Sequence, residues 1–135
     1  MLQQTITVTT HGKALIEITD EVQRVVTQSG INIGLCVVFM KHTSASLLIQ
    51  ENADPTVQFD LLAWLEKLAP EGDPDYRHNT EGDDDMPAHL RSAITRTSES
   101  IPVTNGRLAL GTWQGIYLCE HRSRPHHRQV IVHVM

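Results

Sequence analysis

The chain has 135 residues, 40% of them hydrophobic and 20% charged, with a formal charge of −5, so one compact domain spanning residues 1–135 is expected, large enough to bury about two-thirds of its unfolded surface. The acidic balance argues against non-specific nucleic-acid binding, which needs many Lys and Arg to displace phosphate counterions. No stretch approaches the ~20 apolar residues of a membrane span, and the N-terminus lacks the basic and apolar regions of a signal peptide, so a cytoplasmic protein without membrane association is expected.

Ile6 and Val8 alternate with threonines, and beyond the turn signal His11-Gly12 a second alternation, Ala14, Ile16 and Ile18, predicts an opening β-hairpin. Asp20 is then expected to cap a helix, with Gln23 completing a capping box, Val22, Val25 and Val26 on one face, and Gly30 as the left-handed stop. Residues 31–40 are nearly continuous in apolar side chains, the pattern of a central strand buried on both faces. A further strand is predicted over residues 45–49. Asp54-Pro55 opens a second helix, because proline at the first helical position loses no hydrogen bond. Val57, Leu61, Trp64, Leu65 and Leu68 follow at helical spacing until Pro70.

Residues 70–85 form a polar loop rich in Gly, Pro and Asp, of a length that signals function or disorder in a compact domain. Pro87 marks the first turn of a short helix carrying Leu90, Ala93 and Ile94, which places His89 near its start. Strands resume over residues 99–104, 107–120 and 129–134, and Asn105-Gly106 is the strongest hairpin signal in the chain. Strands outnumber helices and are joined by turns too short for parallel crossovers, so the fold class is α+β and largely antiparallel. Cys36 and Cys119 lie in separate apolar patterns and read as reduced core residues. Apolar residues on both faces of 31–40 suggest that some sheet surface is buried between subunits.

Residues 41–54, KHTSASLLIQENAD, carry the most functional information. His42 precedes the apolar strand and Glu51, Asn52 and Asp54 follow it; groups at the ends of a rigid strand can face a shared cleft. The same residues also suit a polar turn and a helix cap. His42, His78 and His89 are the candidate metal ligands. Their spacings of 36 and 11 residues match no local zinc signature, so a metal requires convergence in the fold; the alternative is that each imidazole bonds a carbonyl or a carboxylate. Three imidazoles and a water suit zinc or another late first-row metal. Asp83-Asp84-Asp85 suits Mg²⁺, which bridges carboxylates to substrate phosphates, or else is a solvated acidic loop. His11, His121, His126, His127 and His133 read as ordinary hydrogen-bonding residues. Gly111 and Gly115 interrupt a strand pattern where a ligand can approach the backbone, and Trp113 between them is either a stacking platform or a core residue. Arg122, Arg124 and Arg128 make a local basic patch.

HTSASL, ENADP, Tyr-x-His, Gly-x-Asp-Asp, Ala-His and IPV-x-x-G-x-x-x-x-GTWQGI, in this order and spacing, resemble the YjbQ family, also called UPF0047, over nearly the whole chain. The resemblance implies a β-sandwich with two or three helices, assembled as a homotrimer with its polar cleft near a subunit boundary. It also implies a secondary thiamine-phosphate synthase activity, joining a hydroxymethylpyrimidine diphosphate to a thiazole phosphate with loss of pyrophosphate. In that reading Glu51, Asp84 and Glu120 are catalytic, Asn52, Asp54, Trp113, Gln114 and Arg122 bind the phosphorylated small-molecule substrate, and His42, His78 and His89 hold a divalent metal, Zn or Mg. A trimeric protein that binds a metal or a phosphometabolite without catalysis would use the same residues. The chain departs from the resemblance at Arg124-Pro125-His126-His127, where relatives have a glycine-rich turn.

Overall fold

Alternating apolar side chains sort the strands into two antiparallel sheets that share one core. The computed structural model covers residues 1–135. In chain order the elements are β1 (Leu2–Thr10), β2 (Ala14–Glu17), α1 (Thr19–Ser29), β3 (Gly34–Met40), β4 (Ala45–Glu51), α2 (Pro55–Leu68), α3 (Asp85–Ile94), β5 (Ser98–Thr104), β6 (Arg107–Leu108), β7 (Gln114–Glu120) and β8 (His126–Val134). The larger sheet has the order β1-β8-β3-β5-β6 and the smaller one β2-β7-β4. This is the expected α+β class. No helix is long and apolar enough to cross a membrane.

The core lies between the sheets. Cys36, Val38 and Met40 on β3 and Val130, Val132 and Val134 on β8 are fully buried with Leu47 of β4 and with Ile116 and Leu118 of β7, and α1 completes the layer through Val22, Val25 and Val26. Each such side chain contributes about 1.5–3 kcal/mol by leaving water. Cys36 and Cys119 are both buried and free.

Helices α2 and α3 accompany the smaller sheet. Gln58 Nε2 donates to the Tyr117 hydroxyl at 2.8 Å. Arg91 of α3 is only 2% exposed, and it donates to the carbonyls of Leu65 (3.2 Å) and Ala69 (2.6 Å). A buried guanidinium thus supplies donors and positive charge to the carbonyl-rich C-terminus of α2. At the other end Asp54 accepts from Thr56 N at 3.0 Å, and Pro55 occupies the first turn.

Several expectations need correction. β1 and β2 are not a hairpin: β1 pairs with β8, Ile6 opposite Val130, while β2 pairs with β7, Ile16 opposite Leu118. Both strands present an apolar side to the same inter-sheet core, so the alternation is satisfied by a chain that switches sheets. The strand expected over residues 107–120 breaks for the same reason into β6 and β7, which belong to different sheets. In α1 the capping box does not form; the Gln23 amide instead donates to the Gly106 carbonyl at 3.2 Å and accepts from Leu108 N at 2.9 Å. Gly30 does stop α1, at φ +69°. β3 is central but buried on one face only: Leu35 and Val37 on the other face are half-buried and Phe39 is exposed. The turn between β5 and β6 is as expected, with Asn105 at φ +53° and Gly106 at φ +74°, the two left-handed residues of a tight hairpin.

Candidate metal centre

The two ends of β4 do not share a cleft within the chain. Register places Ala45 opposite Glu120 and Glu51 opposite Gln114, so His42 and Glu51 lie at opposite ends of a strand roughly 20 Å long. At the far end the expected catalytic and substrate-binding residues serve local structure. Glu51 Oε2 accepts from Asp54 N at 3.0 Å, Asp54 caps α2, and Asn52 Nδ2 donates to Glu17 Oε2 at 3.3 Å. The Gln114 side-chain carbonyl accepts from Gly111 N at 2.8 Å. Trp113 is 61% exposed, so it is not a core residue.

The chemistry concentrates at the near end, around Asp85 at the start of α3. Its side chain is buried, with Oδ2 2.6 Å from His78 Nε2 and 3.2 Å from His89 Nε2, while Arg122 donates to Oδ1 at 2.6 Å. The three donor atoms of His78, Asp85 and His89 lie within 4.8 Å of one another. Arg122 Nε also donates to Asp84 Oδ2 at 3.0 Å, and Ser123 N donates to the same oxygen at 2.9 Å. Burial alone would raise both carboxyls. Hydrogen bonds and charge from Arg122, with the Ser123 N–H, outweigh it and hold Asp84 down at about 2. For Asp85 the hydrogen bond from His78 and the charge of Arg122 hold it below the usual carboxylate range. The centre is therefore a pair of ionised carboxylates clamped by one guanidinium, one of them facing two imidazoles.

The tautomer of His89 is informative. Its Nδ1 lies 3.1 Å from the Thr43 carbonyl, which can only accept, so Nδ1 carries the proton. In neutral His89 the Nε2 lone pair then faces a carboxylate oxygen. Two acceptors at 3.2 Å require a cation between them, either a proton or a metal ion. Two imidazole nitrogens and one carboxylate oxygen suit zinc and other late first-row ions better than Mg²⁺, which prefers oxygen alone.

The other expected site residues are placed differently. His42 lies outside this cluster; its Nε2 accepts from Gln129 N at 2.8 Å, and burial, then the charge of Arg128, lowers its basicity. It does share with His89 a cavity of about 460 Å³. Glu120 is almost fully buried and accepts from Arg128 at 2.7 and 2.5 Å, from the Thr10 hydroxyl at 2.7 Å and from Arg122 N at 3.0 Å. Burial opposes its ionisation, but these bonds keep it an anion. Two residues given other readings in the sequence are central to this end of the fold. Asp85 read either as one of a Mg²⁺-binding run or as part of a solvated one, although its i, i+4 spacing to His89 on a helix puts both on one face. His121, read as an ordinary hydrogen-bonding residue, is 3% exposed with Nε2 2.8 Å from Ser46 Oγ. No local pattern signals its burial.

Comparison with known proteins agrees with the fold and with the motifs. The family model described as UPF0047 protein YjbQ-like matches residues 4–135. UPF0047 protein sll1880 of Synechocystis is 59% identical over 132 residues, covering 98% of this chain and 90% of that protein. UPF0047 protein YjbQ of Escherichia coli O157:H7 is 40% identical over 130 residues, 96% and 94% of the two chains. Among solved structures, hypothetical protein APE1520 of Aeropyrum pernix K1 superposes with a TM-score of 0.91 at 32% identity, over 100% of this chain and 98% of that one. A YjbQ/UPF0047 protein of Clostridium acetobutylicum does so with 0.88 at 38% identity over the whole of both chains. On the extent of these matches and the shared two-sheet fold, the chain belongs to the YjbQ-like UPF0047 family.

Proposed function

We propose that the chain is a metal-dependent site for a phosphorylated small molecule, with His78, Asp85 and His89 holding a divalent late first-row ion such as zinc. The observation that carries this reading is the convergence of His78 Nε2 and His89 Nε2 on one oxygen of the buried Asp85 carboxylate, at 2.6 and 3.2 Å. Such an ion, when bound, would stabilise negative charge on a departing phosphate. Asp84 orients Arg122, Arg122 orients Asp85, and the Thr43 carbonyl orients His89, so the donors are held before any ion arrives.

The reaction that fits is thiamine-phosphate synthesis. There the thiazole ring nitrogen forms a bond to the pyrimidine methylene carbon while the carbon–oxygen bond to the diphosphate breaks. That nitrogen carries no proton, so no general base is needed. This suits a site whose candidate carboxylates Glu51, Asp84 and Glu120 all accept hydrogen bonds already. The same engaged carboxylates favour, as the second reading, a protein that binds the metal and a phosphometabolite without turning it over. Purified protein loaded with zinc or Mg²⁺ is expected to form thiamine phosphate from the two precursors, and His89→Ala to form none. Bound metal with no product from wild type would leave the second reading; no bound metal at neutral pH would refute both.

A homotrimer is part of this proposal. The outward face of the larger sheet is not covered by a helix in the chain. Register puts Leu35, Val37 and Phe39 beside Ile131 and His133 there, and across β1, β8, β3 and β5 no Asp, Glu, Lys or Arg faces outward. A charge-free sheet face with an apolar centre suits burial against another copy. Light scattering at micromolar concentration should give three times the chain mass, and Val37→Asp should give monomers; a monomeric wild type would remove this part.

A further inference from the structure

The cavity shared by His42 and His89 has properties that the metal cluster does not explain. At about 460 Å³ it is within the usual range for small-molecule sites. Although the protein carries net negative charge, no carboxylate lines this cavity, and its one formal charge is Lys41. Lys41 forms no salt bridge with any Asp or Glu of the chain. The hydroxyls of Thr43 and Thr97, which also line it, have no partner within the protein, whereas most polar groups at this end of the fold are engaged.

His42 adds a directional donor. Because Nε2 accepts from the Gln129 N–H, the proton of the neutral ring is on Nδ1, and the ring offers the cavity a donor but no acceptor. The free donors of the lining are thus an ammonium, an imidazole N–H and two hydroxyls; the Ser92 hydroxyl donates to the Ala45 carbonyl at 3.5 Å, and His89, Phe39, Met40 and Ala93 complete the wall. Donors of this number, spread around a cavity, match the three terminal oxygens of a phosphate better than the two coplanar oxygens of a carboxylate.

We infer that this cavity takes the phosphate end of a small organic phosphate, with Lys41 Nζ, His42 Nδ1–H and the hydroxyls of Thr43 and Thr97 as its donors. The inference rests on the proposal of a phosphorylated ligand, and it reassigns His42 from metal ligand to phosphate donor. Its groups lie outside the metal cluster, so the two can fail separately.

The test uses the full chain stripped of metal with a chelator and titrated with inorganic pyrophosphate, followed by amide chemical shifts and by calorimetry. Wild type should bind, with shifts centred on Lys41, His42, Thr43 and Thr97. Lys41→Met and Thr97→Val should each weaken binding about tenfold, the loss expected for a hydrogen bond to a charged group. Arg124→Met should leave it unchanged, His89→Ala should lose metal yet still bind pyrophosphate, and citrate should bind at least tenfold more weakly. No binding by wild type, shifts confined to Arg122 and Arg124, equal affinity for citrate, or unchanged affinity in both Lys41→Met and Thr97→Val would overturn the inference. Pyrophosphate binding to a protein that takes up no zinc would refute the metal proposal and leave this one standing.

Discussion

Replacing His121 by glutamine should remove a large part of the acid sensitivity of this fold. His121 is 3% exposed and its Nε2 lies 2.8 Å from Ser46 Oγ. Burial first, and then the positive charge of Arg91, push its pKa down to about 4, against ~6.5 for an imidazole in the unfolded chain. Protons therefore bind the unfolded chain first as pH falls. There is no penalty above about pH 6.5; below it stability drops by up to ~1.4 kcal/mol per pH unit and levels off near pH 4, a total of about 3 kcal/mol. Glutamine keeps a hydrogen-bonding amide near Ser46 and has no proton to gain. Its own cost at pH 7 is about 1 kcal/mol, so the stability curves of wild type and variant should cross between pH 6 and 5. Both exposed tryptophans make fluorescence a poor reporter, so urea unfolding should be followed by far-UV circular dichroism from pH 7.5 to 4 at fixed protein concentration. Parallel curves over that range would refute the assignment of the acid response to His121.

Arg122→Met should cost about 2–4 kcal/mol at pH 7, because it strips two partly buried carboxylates of their shared partner; for a chain of this size that lowers Tm by about 7–14 °C. Since Asp84 and Asp85 are held below their ordinary values, Asp84 at about 2, their contribution is present above about pH 4 and is lost as pH falls below it, so the gap between wild type and variant should narrow in acid melts. His89→Ala and Asp85→Asn should each cut bound zinc at least tenfold by elemental analysis, while His42→Ala, His126→Ala and His127→Ala keep it. Zinc affinity of the wild type should fall as pH drops below ~6.5, the range in which protons compete for imidazole ligands. Gly34→Ala would drive a methyl group into the Met135 carbonyl and to 2.7 Å from the Ile31 side chain, breaking the paired bonds between Leu35 and Met135. A loss of about 1–3 kcal/mol and faster amide exchange at Leu35 are expected, and unchanged exchange there would contradict the packing argument.

What the sequence determined by itself is local. Asp54-Pro55 at the head of α2, Gly30 at the end of α1 and Asn105-Gly106 between β5 and β6 act through their own backbone preferences, and each stands where its chemistry requires. The alternations of β1 and β2 likewise declare which side of each strand is apolar. They do not declare which strand lies alongside. Leu2 pairs with Val134, and nothing within a few residues of either encodes the partner, so the corners that carry β1 into β2 and β6 into β7 across the sheets were misread as one hairpin and one strand. The site divides in the same way. Imidazoles and carboxylates in 78–89 were legible as chemistry, but the tertiary structure alone decided that Asp85 is buried beneath Arg122 and that Glu120 is consumed by Arg128. Both burials depend on a guanidinium arriving from another element, Arg122 for Asp85 and Arg128 for Glu120, and burial of a charge is tolerated only where that partner arrives.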